Sequence, residues 1–415
     1  MKLGLYISIP FCRTKCTFCN FASGVAAGQT FERYLAQVER EVANAEELAR
    51  QMGGEFTRAV DSVYMGGGTP SVLAPAQLKH LMATVRSGFD VEPVAEITAE
   101  CAPSTLSEAM VEALSASGVN RVSLGVQSFV DREARAVGRM HTREMVLEEM
   151  TRLRKAGLTE INVDLIAGLP YQTMESWRES LHVAVESGVP HVSVYMLEVD
   201  EDSRLGREVI AGGARYHAHQ VPDDELTADL YDAACTELNA AGVTQYEISN
   251  FARAGHRSRH NMKYWTRQPY FGFGVDAHSL LPARNARSPH AAVRFATPDE
   301  LEPLLASEGF APRTRIEIDG RTAMEEAWFL GLRLNDGIDL AAMKAEYGAE
   351  AVDGYRTVLA GLASDRLLEV EDGRVRLTPR GRLLSNTVFA EFLRERESDA
   401  GVAPGKTRKA SLRVL

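Results

Sequence analysis

Six short apolar, β-branched runs recur along the first half of the chain: LYISI at 5–9, SVYM at 62–65, AEITAE at 95–100, RVSLGV at 121–126, EINVDLIAG at 160–168 and HVSVYML at 191–197. Between them apolar residues fall at helical spacing, as in FERYLAQVEREVANAEELARQM. Strands alternating with helices predict a parallel sheet with right-handed crossovers. The pattern predicts an α/β fold: a partial, three-quarter parallel β/α barrel of about six βα units over residues 1–205, rather than a closed barrel of eight strands.

The pattern changes near residue 200. VDEDSRLGREVIAGGARYH is polar and loop-rich, a helix is predicted at 223–241, and the Gly-rich YFGFGVDAHSLL comes after it. We take 206–309 as an extension of the barrel and 310–395 as a second unit. That unit has helical patterns at 322–334 and 338–363, then LLEVEDGRVRLTPRG, where Asp372-Gly373 between two alternating runs signals a hairpin. Helices succeeded by a hairpin predict a small C-terminal helical, winged-helix-like domain. Residues 396–415 are poor in apolar positions until Leu412 and read as a disordered tail.

Composition narrows the function class. Of the 415 residues 45% are hydrophobic and 25% charged, and the net charge of −11 argues against a protein that tracks nucleic acid. No apolar run approaches the ~20 residues of a membrane span, and MKLGLYISIPFC is too short and too strand-like for a signal peptide. Three of the five cysteines, Cys12, Cys16 and Cys19, sit within PFCRTKCTFCNFAS; Cys101 and Cys235 stand apart and read as small buried hydrophobes. Clustered thiols without an export signal point to the reducing cytoplasm and to a metal rather than a disulfide.

The C-terminal ends of the predicted strands carry the chemistry. The cysteine cluster sits after the first and GGGTP after the second; Glu100 ends the third; Gln127 and Ser128 end the fourth; Asp164 lies in the fifth; Glu198 ends the sixth. Barrel-type α/β folds place their sites at these strand ends. Thiolates are soft ligands for zinc or iron–sulfur clusters. A structural zinc site would need a fourth ligand, and no histidine lies nearby. Three cysteines on a four-iron cluster leave one iron open for a small molecule, and Phe18 and Phe21 beside the third cysteine would shield it. The glycines of GGGTP remove side chains, so backbone groups can reach a ligand.

The CX3CX2C loop and GGGTP resemble the radical S-adenosylmethionine superfamily. GVNRVSLGVQSF, GRMH, INVDLIAGLPYQT, QYEISNFA, HNMKYW, GVDAHS and LTPRG are similar to the oxygen-independent coproporphyrinogen III oxidase group within it. The resemblance implies a [4Fe–4S] cluster on Cys12, Cys16 and Cys19, with S-adenosylmethionine on the open iron as the source of a 5′-deoxyadenosyl radical. It implies further that Tyr6 lies against the methionine part of that ligand, with Phe18 inside the cluster loop. Gly67, Gly68 and Thr69 would give backbone contacts, and Glu100 would hold an amine or ribose. Gln127, Arg139 and Asp164 match a set that contacts a second nucleoside in the oxidase.

Two departures from the oxidases, Phe21 where they carry a further cysteine and a first strand starting at Leu3 with no leader before it, resemble the sister branch of heme chaperones. That branch carries HNxxYW, here His260, Asn261, Tyr264 and Trp265. The resemblance implies heme as a further cofactor, with His260 as iron ligand, Tyr264 and Trp265 as flat apolar surface, and Arg257 and Arg259 for the propionates. His256 and His278 are rival ligands. The implied partners are hemoproteins, among them respiratory enzymes at the membrane surface. The alternative is radical decarboxylation of coproporphyrinogen III.

Overall fold

The computed structural model describes residues 1–26, 28–284 and 289–393. The expected tail at 396–415 lies outside them. The six predicted strands form as β1 (Leu3–Ile9), β2 (Ala59–Gly67), β3 (Asp90–Cys101), β4 (Arg121–Gln127), β5 (Glu160–Ala167) and β6 (His191–Met196). They pair in parallel in chain order. Every residue of β1 except Tyr6 is buried. This is the near-continuous apolar character of a strand covered on both faces.

Helices return each strand to the next. Glu108–Ala116, Arg143–Lys155 and Met174–Glu186 start at Ser107, Thr142 and Thr173, whose side-chain oxygens accept an N–H of the first turn. The amphipathic stretch at 31–52 forms two helices, Gly28–Ala43 and Ala45–Met52, separated at Asn44. The predicted helix at 223–241 is Asp224–Ala240.

The sheet is wider than the six-unit pattern suggests. Among the described residues it also holds β7 (Thr244–Gln245), β8 (Asn250–Ala252), β9 (Tyr270–Phe273), β10 (His278–Pro282), β11 (Ala292–Ala296) and β12 (Thr314–Ile318). β9 pairs in parallel with β1, on the side away from β2, and β10 to β12 continue antiparallel beyond it. The Gly-rich YFGFG run is therefore a fully buried strand. Gly272 is required there, because a Cβ would lie 2.3 Å from the His278 carbonyl oxygen. The expected boundary at 310 falls within this sheet, since β12 pairs with β11.

The C-terminal unit packs around Trp328, Tyr355 and Phe392. The helical pattern at 322–334 is the helix Gly320–Gly331, and the one at 338–363 is three helices, Leu340–Tyr347, Ala349–Asp353 and Arg356–Ser364. Gly348, with φ of 92°, breaks the first from the second. β13 (Ile338–Asp339), β14 (Leu368–Glu371) and β15 (Arg374–Leu377) form a small antiparallel sheet. Its hairpin turns at Asp372 and Gly373, both with positive φ, as the two-residue loop requires. The unit is tied to the large sheet through Glu326, which pairs with Arg267 at 2.9 Å and Arg294 at 2.8 Å.

A second buried pair fixes the approach to β12. Arg313 meets Glu41 of the first helix at 2.6 Å, with the two side chains 1% and 0% exposed. The other Glu41 oxygen accepts the Ala311 N–H at 2.9 Å. Removing one partner strands a charge in a medium that cannot solvate it. Arg313→Met is expected to cost about 3–5 kcal/mol in denaturant unfolding, and adding Glu41→Leu to recover part of that loss.

Candidate functional site

At the C-terminal ends of β1 to β6 lies a cavity of about 690 Å³. Its walls include Cys12, Cys16, Phe18, Cys19, Gly68, Thr69, Glu100, Gln127, Arg139 and Asp164. The structure thus brings together residues from every one of the six strand ends, Glu198 included.

The cysteine loop is clamped from several sides. The Cys12 N–H donates to Gly24 O at 2.9 Å, the Thr17 N–H to Val137 O at 3.1 Å, and the Leu205 N–H to Thr17 O at 2.8 Å. The Thr69 N–H donates to Phe11 O at 2.8 Å, and its hydroxyl donates to Cys12 Sγ at 3.5 Å. A Cβ on Gly68 would lie 2.5 Å from Ile9 O and 2.8 Å from Phe11 N. One glycine of GGGTP therefore admits the cysteine loop itself, in addition to any ligand. Gly67 has φ of 89°, a conformation that side chains disfavour. A Cβ on Gly66 would meet the Glu100 carboxylate at 2.8 Å.

Two carboxyls face the cavity. Glu100 accepts from Tyr64 Oη at 2.8 Å and from the Gly67 N–H at 3.2 Å. Burial pushes its carboxyl up to about 7, with the two donors opposing and the nearby Asp164 reinforcing. Asp164 accepts from Ser123 Oγ at 3.0 Å and Asn162 Nδ2 at 2.7 Å, and burial raises it too. Gly125 leaves room for the Arg139 guanidinium, since a Cβ there would lie 3.0 Å from Arg139 Nη2. Gln127 ends β4 with φ of 70°.

The residues fit an iron–sulfur cluster. Burial raises the Cys16 thiol, and the Arg139 and Arg204 guanidiniums work against that rise. Thr17 Oγ1 and Arg139 Nε are buried without a hydrogen-bond partner. Cys12, Cys16 and Cys19 all line the one cavity, and a four-iron cube takes one thiolate at each of three corners.

Three predicted residues do not line the cavity. Gly67 ends β2 and donates its N–H to Glu100. Tyr6 points into the barrel and stacks on Tyr64, with ring centroids 6.2 Å apart. His260 lies at the opposite end of the barrel, 1% exposed, on the helix Arg259–Trp265. Its Nδ1 meets Ser62 Oγ at 3.0 Å and its Nε2 meets Tyr264 Oη at 2.9 Å, so neither nitrogen is free for iron in this structure. Tyr264, half-buried, packs against it, whereas Trp265 is buried in the core of the C-terminal unit. The arginines expected at the heme propionates are engaged elsewhere: Arg257 pairs with Asp336 at 2.6 Å, and Arg259 donates to Val94 O at 2.7 Å. His256 bonds Glu160 at 2.8 Å and His278 lies 3.5 Å from Asp276.

The structure adds Tyr64, Ser123 and Tyr195 to the cavity wall. The signal for the first two was the period of two along a strand, which puts Tyr64 on the face of Gly66 and Ser123 on that of Gly125.

The raised Glu100 carboxyl has a stability consequence. Folding favours its protonated form, so its contribution is intact below the unfolded-state value and is lost as pH rises through about 7. Glu100→Gln is therefore expected to stabilise the ligand-free protein by on the order of 3 kcal/mol at pH 8 and far less at pH 5. Thermal unfolding at the two pH values checks this; an equal gain at both would contradict it.

Comparison with known proteins agrees with this geometry. Residues 6–184 match the radical SAM superfamily and residues 318–384 the HemN C-terminal domain. The heme chaperone HemW of Bacillus subtilis is 34% identical over 392 residues, 94% of this chain and 99% of that protein. HemW of Mycobacterium tuberculosis is 33% identical, covering 94% of each chain. The solved structure of the coproporphyrinogen III oxidase HemN of Escherichia coli, a radical SAM enzyme, superposes with a TM-score of 0.79 at 25% identity, over 94% of this chain and 90% of that one. With a thiol loop, a glycine turn and a full-length likeness in agreement, the chain belongs to the HemW family of the radical SAM superfamily.

Proposed function

We propose that this protein is a heme chaperone that holds a [4Fe–4S] cluster and S-adenosylmethionine in its cavity, binds heme and passes it to hemoproteins, respiratory enzymes at the membrane surface among them. The observation that supports the reading most is the opening of three clamped cysteines into one 690 Å³ cavity, in a chain related over its length to HemW. No helix among the described residues is long and apolar enough to cross a membrane.

Cys12, Cys16 and Cys19 would hold the cluster, which supplies an electron when reduced. The chain's own residues do the rest. Arg139 sets a positive charge beside Cys16 and favours its thiolate. Phe18 packs with Val137, Ile166, Leu169 and Leu205 and keeps water from one side of the loop. Gly68 and Thr69 present backbone to the ligand, and Glu100 accepts from an ammonium or a ribose hydroxyl. Gln127, Arg139 and Asp164 line the same cavity and would contact a second polar ligand there.

The second reading, oxidative decarboxylation of coproporphyrinogen III, is favoured by the likeness to HemN. The two part in a direct test. Anaerobically reconstituted protein is expected to carry about four irons per chain and to lose them on triple Cys→Ala replacement of Cys12, Cys16 and Cys19. It is expected to change its cluster spectrum on adding S-adenosylmethionine, to retain hemin stoichiometrically, and to release no protoporphyrinogen from coproporphyrinogen. Robust decarboxylation would favour the oxidase, and failure to retain hemin would remove the chaperone.

A further inference from the structure

The helix Arg259–Trp265 plugs the N-terminal end of the barrel. Its first turn is capped from β3: the Arg259 and His260 N–H groups each donate to the Glu96 carboxylate at 2.9 Å. Lys263, 3% exposed, crosses to Asp61 at 2.8 Å and to Lys2 O at 3.2 Å. Gly4 of β1 makes the room, because a Cβ there would lie 2.8 Å from Lys263 Cδ and 3.3 Å from His260 Cε1.

From this plug a column of rings climbs to the cavity. Tyr264 Oη and Ser62 Oγ hold the two nitrogens of His260, which fixes the plane of the imidazole. That ring lies 5.2 Å from the ring of Tyr64, tilted by 30°. Tyr64 also stacks on Tyr6, and its hydroxyl is one of the two donors on the Glu100 carboxylate. Burial, with Lys263 alongside, lowers the imidazole to about 3, so it stays neutral and adds no positive charge beneath Glu100. A leucine would fill the same floor without the cost of burying two polar nitrogens. The hydrogen-bonded imidazole instead gives Tyr64 one wall of fixed orientation.

We infer that His260 and Tyr264 are positioning residues: they hold the Tyr64 ring so that its hydroxyl orients the Glu100 carboxylate toward the bound S-adenosylmethionine. This rests on the proposed reading of the cavity and replaces iron ligation as the role of His260. The same helix ends at Trp265, in the C-terminal core, where the Arg333 guanidinium lies 4.2 Å from its ring. Docking of the C-terminal unit therefore braces the column from below.

The test uses the full-length, cluster-reconstituted protein and four variants: His260→Leu, Tyr264→Phe, Glu100→Gln, and the double variant His260→Leu/Glu100→Gln. Iron content, S-adenosylmethionine affinity by calorimetry and hemin retention are read for each. We expect unchanged iron and hemin, affinity weaker by roughly tenfold in His260→Leu and roughly threefold in Tyr264→Phe, and a double variant no weaker than Glu100→Gln alone. Tyr264→Phe removes only a hydroxyl, so it carries the test if His260→Leu does not fold. Additive losses in the double variant, or wild-type affinity in Tyr264→Phe and His260→Leu, would overturn the inference. Lost hemin with intact S-adenosylmethionine binding would restore His260 as a heme contact. A wild-type protein that binds no S-adenosylmethionine would overturn the cavity reading as well.

Discussion

The contact between Gly68 and the backbone of Ile9 to Phe11 governs the candidate site. Two loops that extend from adjacent parallel strands meet there, main chain against main chain. A single methyl at 68 would enter the space of a carbonyl oxygen 2.5 Å away. Because nothing stands between them, Thr69 can bond both Phe11 O and the Cys12 sulfur. The cysteine loop thereby inherits the rigidity of the sheet. Its far side is held by elements from beyond β4 and β6, through Val137 and Leu205. A loop that long would otherwise sample many shapes, and three thiols would rarely face one volume.

The walls of that volume are costly to build. Glu100 and Asp164 are buried carboxyls, both raised by burial and Glu100 further by Asp164, and each is supported by donors from neighbouring strands. Such groups weaken a fold unless a charge arrives to compensate, and the proposed ligand would supply one. The protein offsets this elsewhere with two large apolar cores. The floor of the barrel is polar as well, and there every group of Arg259–Trp265 that faces Glu96, Ser62 and Asp61 has found a partner. The site and its floor differ in that respect: one is left open to a ligand, the other is closed.

Much of this was legible in the sequence, for a physical reason. A parallel strand covered on both faces must be a short apolar run, and a crossover helix must show its spacing, so β1 to β6 could be read in order. Strand ends in such a fold share one mouth, and Cys12, Cys16, Cys19, Thr69, Glu100, Gln127 and Asp164 all reach it. Asp372-Gly373 named its hairpin because few residues accept positive φ twice in succession.

What only the tertiary structure decided were matters of long-range contact. A strand of four residues carries too little pattern to reveal that YFGF pairs beside β1. The need for Gly68 comes from a loop some sixty residues earlier. The HNxxYW segment shows the limit most clearly. Its residue types suit heme, and on a helix its spacing puts His260 and Tyr264 on one face. Which end of the barrel that face meets depends on Gly4, Ser62, Asp61 and Glu96, none of them near it in the chain. Local pattern left the segment open as helix or loop; the fold made it the helix Arg259–Trp265, and distant partners determined that its imidazole is enclosed in the floor instead of open to the cavity.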